Sequence, residues 1–251
     1  MVLLKLRFAS GKVWRYVIAS ISKIIDEGVF IIGEDGVRLR AMDPSKIALV
    51  DFHLPRESFT EFEVTGVENI SVNMSDLAKI LKRVVKDDEL VLESSGAKGL
   101  TVSFVGHGIR SFTLPSLELA PEELPELKLD FPVMVRAPPS VFKEIVRELE
   151  PVGEVIEFKT VSPENTLIAR SYSDIVDAQI VLSVQDGSLY ELSAREDSVS
   201  SYSIDYLIDI AGVSSVAEDF VFEYGSGLPC RLQFTLPYGG KIVFYVAPRV
   251  E

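Results

Sequence analysis

The side chains that come nearest to catalytic or metal chemistry in this chain are two histidines, His53 and His107, one cysteine, Cys230, and two aspartates, Asp43 and Asp51. Metal sites gather their ligands at short recurring spacings, and an activated nucleophile needs a base within hydrogen-bond reach. The histidines lie far apart, with no cysteine or carboxylate pattern around either, so a structural role is expected for both. Asp51 falls in an alternating strand, and Asp43 precedes Pro44 in a turn-like position. Cys230 follows Pro229 without a nearby base, which predicts a buried or half-buried thiol. No glycine loop ends in Lys-Ser/Thr, and no Gly-x-Ser-x-Gly motif is present. The expectation is a protein that is not an enzyme and uses neither cofactor nor metal.

Charge carries more information. The formal net charge is −13, which taken whole argues against a nucleic-acid partner. The cations are not spread evenly, however. Spacing predicts a helix over Asp76–Lys86 that buries Leu77, Ile80, Leu81 and Val84 and turns Lys79, Lys82, Arg83 and Lys86 outward. A helix over Lys12–Asp26 buries Val13, Val17, Ile21 and Ile24 and leaves Lys12, Arg15 and Lys23 outside. A third, Ser140–Glu150, sets Lys143 and Arg147 among Glu144, Glu148 and Glu150, and a fourth, Ile204–Val213, offers only Asp205 and Asp209. Their formal charges are +2, +3, −1 and −2 in chain order, which leaves −15 on everything else. A charged outer helix face is commonly just a solvated one. The contrast with the rest of the chain is what points toward phosphates.

These helices recur within a larger pattern. A short strand, a one-sided helix and two or more alternating strands repeat four times, the first copy running from Leu3. Leu4–Phe8 and Arg231–Leu236 alternate apolar with polar residues, and Glu34-Asp35-Gly36, Gln185-Asp186-Gly187 and Tyr238-Gly239-Gly240 supply hairpin-type turns. The fold class is therefore α+β: two similar domains, each itself duplicated, with antiparallel sheets and helices on one side. An acidic, proline-containing stretch near the midpoint, 117–130, reads as a connector between a first domain (1–116) and a second (131–251). Its leucines, Leu117, Leu119, Leu124 and Leu127, predict that part of it lies on the protein surface. At 251 residues and 47% hydrophobic the chain can fill one large or two medium cores. No apolar run reaches the roughly 18 residues of a membrane span, and the N-terminus does not read as a signal peptide. A single cysteine excludes an internal disulfide and fits a reducing cytosol. Three Asn and three Gln beside abundant Glu hint at a hot environment.

At this level of detail a family resemblance emerges. Gly36-Val37-Arg38-Leu39-Arg40-Ala41-Met42-Asp43-Pro44-Ser45-Lys46-Ile47-Ala48-Leu49-Val50 resembles the signature of the proliferating cell nuclear antigen, the sliding clamp of archaea and eukaryotes. Gly239-Gly240-Lys241-Ile242-Val243-Phe244-Tyr245-Val246-Ala247-Pro248-Arg249 is similar to that family's closing motif, and Ser75–Glu89 to its second helix. The resemblance covers essentially the whole chain.

It implies a ring of three subunits, alike or from paralogous chains, that encircles double-stranded DNA without reading its sequence and tethers DNA polymerase. Flap endonuclease, DNA ligase and an ATP-driven clamp loader are the further partners it implies, in a cytoplasmic, nucleoid-associated archaeal setting. By matching position, Lys12, Arg15, Lys79, Lys82, Arg83 and Arg147 face the DNA, with Lys143 and Lys86 as further candidates. The family's lysine late in the fourth helix is replaced here by Ala211-Gly212, which makes the expected DNA footprint asymmetric. The resemblance also implies a pocket for client peptides beneath the connector, at Met42, Ile47, Leu49, Leu124, Leu127, Pro229, Tyr245, Val246, Ala247 and Pro248. The alternative for Met42, Ile47 and Leu49 is that they are core residues of a strand, and for Leu49 the two readings balance. Subunit contact is expected along edge strands, Gly108–Leu114 and Asp174–Leu182. Two other classes stand beside this one: a monomeric, non-ring peptide-binding adaptor, and a nucleic-acid enzyme whose Asp43 and Asp51 hold a metal.

Overall fold

The computed structural model describes residues 4–95, 99–162 and 165–249; Leu3, the expected start of the first copy, lies outside them. The chain divides into two compact units. The first comprises Met1–Pro44, Val50–Pro125 and Leu236–Ile242, and the second Ser45–Leu49, Glu126–Thr235 and Val243–Glu251.

In the first unit the elements run β1 (Leu4–Phe8), α1 (Gly11–Ile24), β2 (Glu27–Gly33), β3 (Gly36–Met42), β4 (Ala48–Pro55), β5 (Glu61–Val64), β6 (Glu68–Asn73), α2 (Met74–Leu81), β7 (Glu89–Ser94), β8 (Leu100–Val105) and β9 (Ile109–Leu114). Strands order as β5-β1-β7-β8-β9 and as β4-β3-β2-β6. The leading strand of each half thus joins the other half's meander. β1 lies antiparallel to β7 with Leu4 opposite Ser94, and β6 lies antiparallel to β2 with Asn73 opposite Glu27. The duplicated halves are interleaved, so neither can bury its apolar faces alone.

The second unit repeats this order with β10 (Val133–Ala137), α3 (Pro139–Leu149), β11 (Val155–Val161), β12 (Thr166–Tyr172), β13 (Asp177–Ser183), β14 (Glu191–Ala194), β15 (Ser198–Ser203), α4 (Ile204–Ala211), β16 (Asp219–Tyr224), β17 (Cys230–Thr235) and β18 (Lys241–Val246). Its strands order as β14-β10-β16-β17-β18 and β13-β12-β11-β15, position for position the arrangement of the first unit.

Aromatic packing fills each core. Phe8 meets Trp14, Phe59 and Tyr238 edge-on, and Trp14 meets Phe52 at 5.9 Å between ring centroids. In the second unit Phe142 stacks on Phe220 at 5.0 Å, and Phe158 contacts Phe222 at 4.7 Å. Such offset and edge-on geometries suit the ring quadrupoles. The buried phenols of Tyr202 and Tyr224 are pushed upward in pKa by burial, and each keeps a partner: the Leu228 carbonyl at 2.9 Å and the Thr160 hydroxyl at 2.7 Å. Cys230 is fully buried and its thiol is likewise raised by burial, which removes it as a nucleophile.

One helix is shorter than its periodicity predicts. α2 ends at Leu81 rather than reaching Lys86. The chain tightens there because Arg83 and Val84 donate to carbonyls three residues back, and Asp87 takes a positive φ of 68°. The Asp88 carboxylate then accepts the Val85 N–H at 2.8 Å. A tight turn also fixes Gly36, at φ 128°, where a Cβ would stand 2.1 Å from the Leu54 carbonyl oxygen. Gly36→Ala is expected to destabilise the chain by about 2–3 kcal/mol, measured as a lowered thermal midpoint.

Candidate functional surfaces

Gly11 sets the geometry of the cationic surface. Its N–H donates to the Asp88 carbonyl at 2.8 Å, and a Cβ there would sit 3.1 Å from the Val84 side chain. The start of α1 therefore lies directly against the turn that follows α2. Buried Val13, Trp14, Val17, Ile18, Ile21 and Ile24 hold the opposite face of α1 in the core. Lys12 projects into solvent, while half-buried Arg15 reaches the Val84 carbonyl at 3.4 Å with its guanidinium over Tyr16. α2 starts on an Asn73 cap, whose side chain accepts the Asp76 N–H at 3.0 Å, and it buries Leu77, Ala78 and Leu81. Lys79, Lys82 and Arg83 remain exposed. Packing of α1 on α2 thus brings Lys12 and Arg15 to the end of α2 where Lys82 and Arg83 stand. Cations at that end also complement the unpaired carbonyls of the helix C-terminus.

These cations are not equivalent. Lys79 pairs with Asp76 at 2.8 Å, but both side chains are more than half exposed, so that pair is easily exchanged for another anion. The Arg83 guanidinium lies over the Phe112 ring of β9, and its carbonyl accepts from Arg110 at 3.0 Å. Arg110 in turn pairs with the buried Asp88 carboxylate. Arg83 therefore belongs as much to the β9 edge as to the helix surface, a link no sequence spacing revealed. The signal for it was the charge of Arg110 in an edge strand.

The second unit is different. Arg147 on α3 pairs with Glu148 at 2.7 Å, a contact that raises its pKa further. Glu144, Arg147 and Glu148 border a cavity of about 410 Å³ floored by Val141, Ile145, Ile180 and Leu182. Lys143 donates to the Ser215 hydroxyl at 3.0 Å, in the 3-10 turn Gly212–Ser215 that ends α4. That contact places a lysine beside the Ala211-Gly212 region.

The expected client-pocket residues are distributed over both units. Met42 and Leu124 are half-buried residues of the first. In the second, the Ala247 N–H donates to the Ile47 carbonyl at 2.8 Å, which brings the closing motif beside the signature motif. Ile47 and Leu127 are each 38% exposed, and Pro229, Tyr245, Ala247 and Pro248 are half-buried. Leu49 and Val246 have their side chains in the core.

Of the residues weighed for chemistry, Asp51 lies 3.8 Å from the Arg40 guanidinium and Asp43 is buried. His53 has its pKa lowered, first by burial and then by Arg38, while His107 is exposed in the β8–β9 turn. Among the described residues no three His, Cys, Asp or Glu side chains gather as a metal site would need.

A family model described as proliferating cell nuclear antigen, N-terminal domain, matches residues 3–109. The chain is 36% identical over 245 residues to DNA polymerase sliding clamp 3 of Aeropyrum pernix, covering 97% of each. It is 34% identical to DNA polymerase sliding clamp 1 of Pyrobaculum aerophilum, covering 98% of each. Among solved structures, a chain of the PCNA2-PCNA3 complex from Sulfolobus tokodaii superposes with a TM-score of 0.92 at 30% identity, over 98% of this chain and 100% of that one.

Because Asp88 anchors the turn carrying Lys82 and Arg83, Asp88→Ala is expected to cost about 2 kcal/mol in denaturant unfolding, through the lost N–H and guanidinium partners. Hydrogen exchange should rise first over 82–88.

Proposed function

We propose, from the premise that this chain belongs to the proliferating cell nuclear antigen family of DNA polymerase sliding clamps, that it closes with two further clamp subunits into a ring around duplex DNA. Membership makes it a processivity factor and not an enzyme, and it removes the monomeric adaptor as a rival reading. The observation that carries the DNA contact is the collection of cations on α1, on α2 and in the turn after α2, of a chain whose net charge is −13. Lys12, Arg15, Lys79, Lys82, Arg83 and Arg147 form the proposed lining, with the stronger footprint on the first unit because Arg147 stands among Glu144, Glu148 and Glu150 while α4 carries only Asp205 and Asp209. Contacts of this kind neutralise phosphates without reading bases. A closed ring needs no tight grip, so weak attraction is compatible with sliding.

Subunits join by edge strands, β9 of one copy beside β13 of the next. Both strands stand at the end of their sheets and share the same alternating exposure. Arg110 lies in β9 and Arg83 stacks on its Phe112, whereas Glu144 and Glu148 outnumber Arg147 around the apolar cavity beside β13. A basic edge meeting an acidic one favours head-to-tail association over pairing of like edges. The Sulfolobus tokodaii relative is itself a complex of two different clamp chains, which supports a ring of paralogues here. Client enzymes (DNA polymerase, flap endonuclease, DNA ligase and the loader) dock on the surface at Met42, Ile47, Leu124, Leu127, Pro229, Tyr245, Ala247 and Pro248, shaped by Leu49 and Val246. The domain division is 1–116 and 131–251 with 117–130 as connector, and the setting is the nucleoid-associated cytoplasm. No helix of the described residues is long and apolar enough to cross a membrane.

Light scattering over a concentration range tests the ring. A mass near three times 27.8 kDa, alone or only after paralogues are added, is the expected result. A monomer under every mixture would overturn it. Charge reversal at Lys79 and Lys82 spares the Arg83–Phe112 contact and is expected to lower the salt dependence of DNA binding by about two units in log–log slope. Arg147→Glu should change it by well under one unit, and an effect per reversed charge equal to that at Lys79 and Lys82 would refute the asymmetric footprint.

A further inference from the structure

We propose that Arg40 is the positioning residue of the connector: its guanidinium fastens the Leu124–Pro125 carbonyls over β3 and so presents Leu124 to clients. This rests on the client-docking reading above.

Residues 115–131 form no helix or strand, so the connector depends on a few attachments. One is on β6, where the Leu117 N–H donates to the Ser71 carbonyl at 2.9 Å and the Ser71 hydroxyl to the Leu119 carbonyl at 3.1 Å. A second is Arg195, which pairs with Asp130 and donates to the Phe131 carbonyl at 2.8 Å. A third is Arg40, which donates from Nη1 to the Leu124 carbonyl at 3.3 Å and from Nη2 to the Pro125 carbonyl at 2.7 Å. On the same guanidinium, Nε faces the Asp51 carboxylate at 3.8 Å, leaving both Nη donors to the connector. Two consecutive carbonyls suit a planar fork, which an ammonium does not reproduce.

Electrostatics gives the contact its weight. Glu118, Glu122, Glu123 and Glu126 are exposed on a connector that belongs to an acidic chain, so it is repelled by much of its own surface. Arg40 supplies the opposing charge where the connector meets β3. Leu124, one of the expected client contacts, is held by its own carbonyl, which makes Arg40 a residue that acts through Leu124 rather than on the client directly. Preorganising such a segment lowers the ordering cost of binding.

The test uses the full chain with Arg40→Met and Arg40→Lys, and Tyr245→Ala in parallel as a probe of the docking surface itself. Two readouts are taken: hydrogen exchange over 117–127, and anisotropy of a labelled synthetic peptide carrying aliphatic and aromatic anchors. Arg40→Met is expected to speed exchange in the connector alone, leave thermal midpoint and solution mass unchanged, and weaken the peptide about tenfold. Arg40→Lys should restore only part of both. Unchanged affinity in Arg40→Met overturns the proposal, whether or not exchange rises. If Arg40→Met does not fold, Arg40→Lys decides on the same two readouts. A wild-type chain that binds no peptide, or binding untouched by Tyr245→Ala, overturns the docking reading instead.

Discussion

The antiparallel pairing of β1 with β7 and of β6 with β2 governs how the rest of the first unit is built, because each pairing ties one duplicated half to the other. A half-copy has a strand, a helix and a meander but no second layer against which to bury them. Exchange of the leading strands gives both halves a shared core, with Leu4, Leu6 and Phe8 buried beside Leu90 and Leu92. It also brings α1 and α2 together, since each helix directly follows an exchanged strand. The cationic surface is a consequence of that constraint. Repetition of the same order in the second unit produces a second helix pair, α3 and α4, where Glu144, Glu148, Asp205 and Asp209 outnumber Lys143 and Arg147.

This contrast between the units separates scaffold from surface charge. The apolar positions that fill the cores persist in both units as aromatic clusters of similar geometry. The outward positions have diverged in sign. Packing tolerates little change in volume, whereas a solvated charge can be replaced at small cost in stability. Charge is therefore free to specialise each surface: basic beside α1 and α2, acidic beside α3 and along the connector. At physiological ionic strength such fields act over about 8 Å, enough for contact with phosphates but not for a long-range grip.

Much of the site was legible because its physics is local. Helix periodicity placed Lys12, Lys79 and Lys82 outward, and all three are exposed. Turn chemistry placed the Gly36 corner, whose positive φ a side chain would oppose. Greasy leucines in the connector anticipated surface attachment, found at Ser71 and Arg40. Leu49 was ambiguous in the sequence because an apolar strand residue reads alike as core or as pocket wall; the fold puts it in the core, together with Val246, which the resemblance places in the pocket.

The sequence by itself determined what depends on neighbours a few positions away: the fourfold repeat, the α+β class, the amphipathic helices, the buried inert Cys230 and, through three matching segments, the family. Tertiary structure alone decided which half lends a strand to which, where α2 stops, that Arg83 turns toward β9 and that Arg40 holds the connector. The reason is the distance along the chain between the partners. Arg40 lies more than 80 residues from the carbonyls it binds, and Gly11 meets Asp88 across a comparable span. Such contacts carry no periodicity of their own, and they exist only after the strands have closed the loops between them.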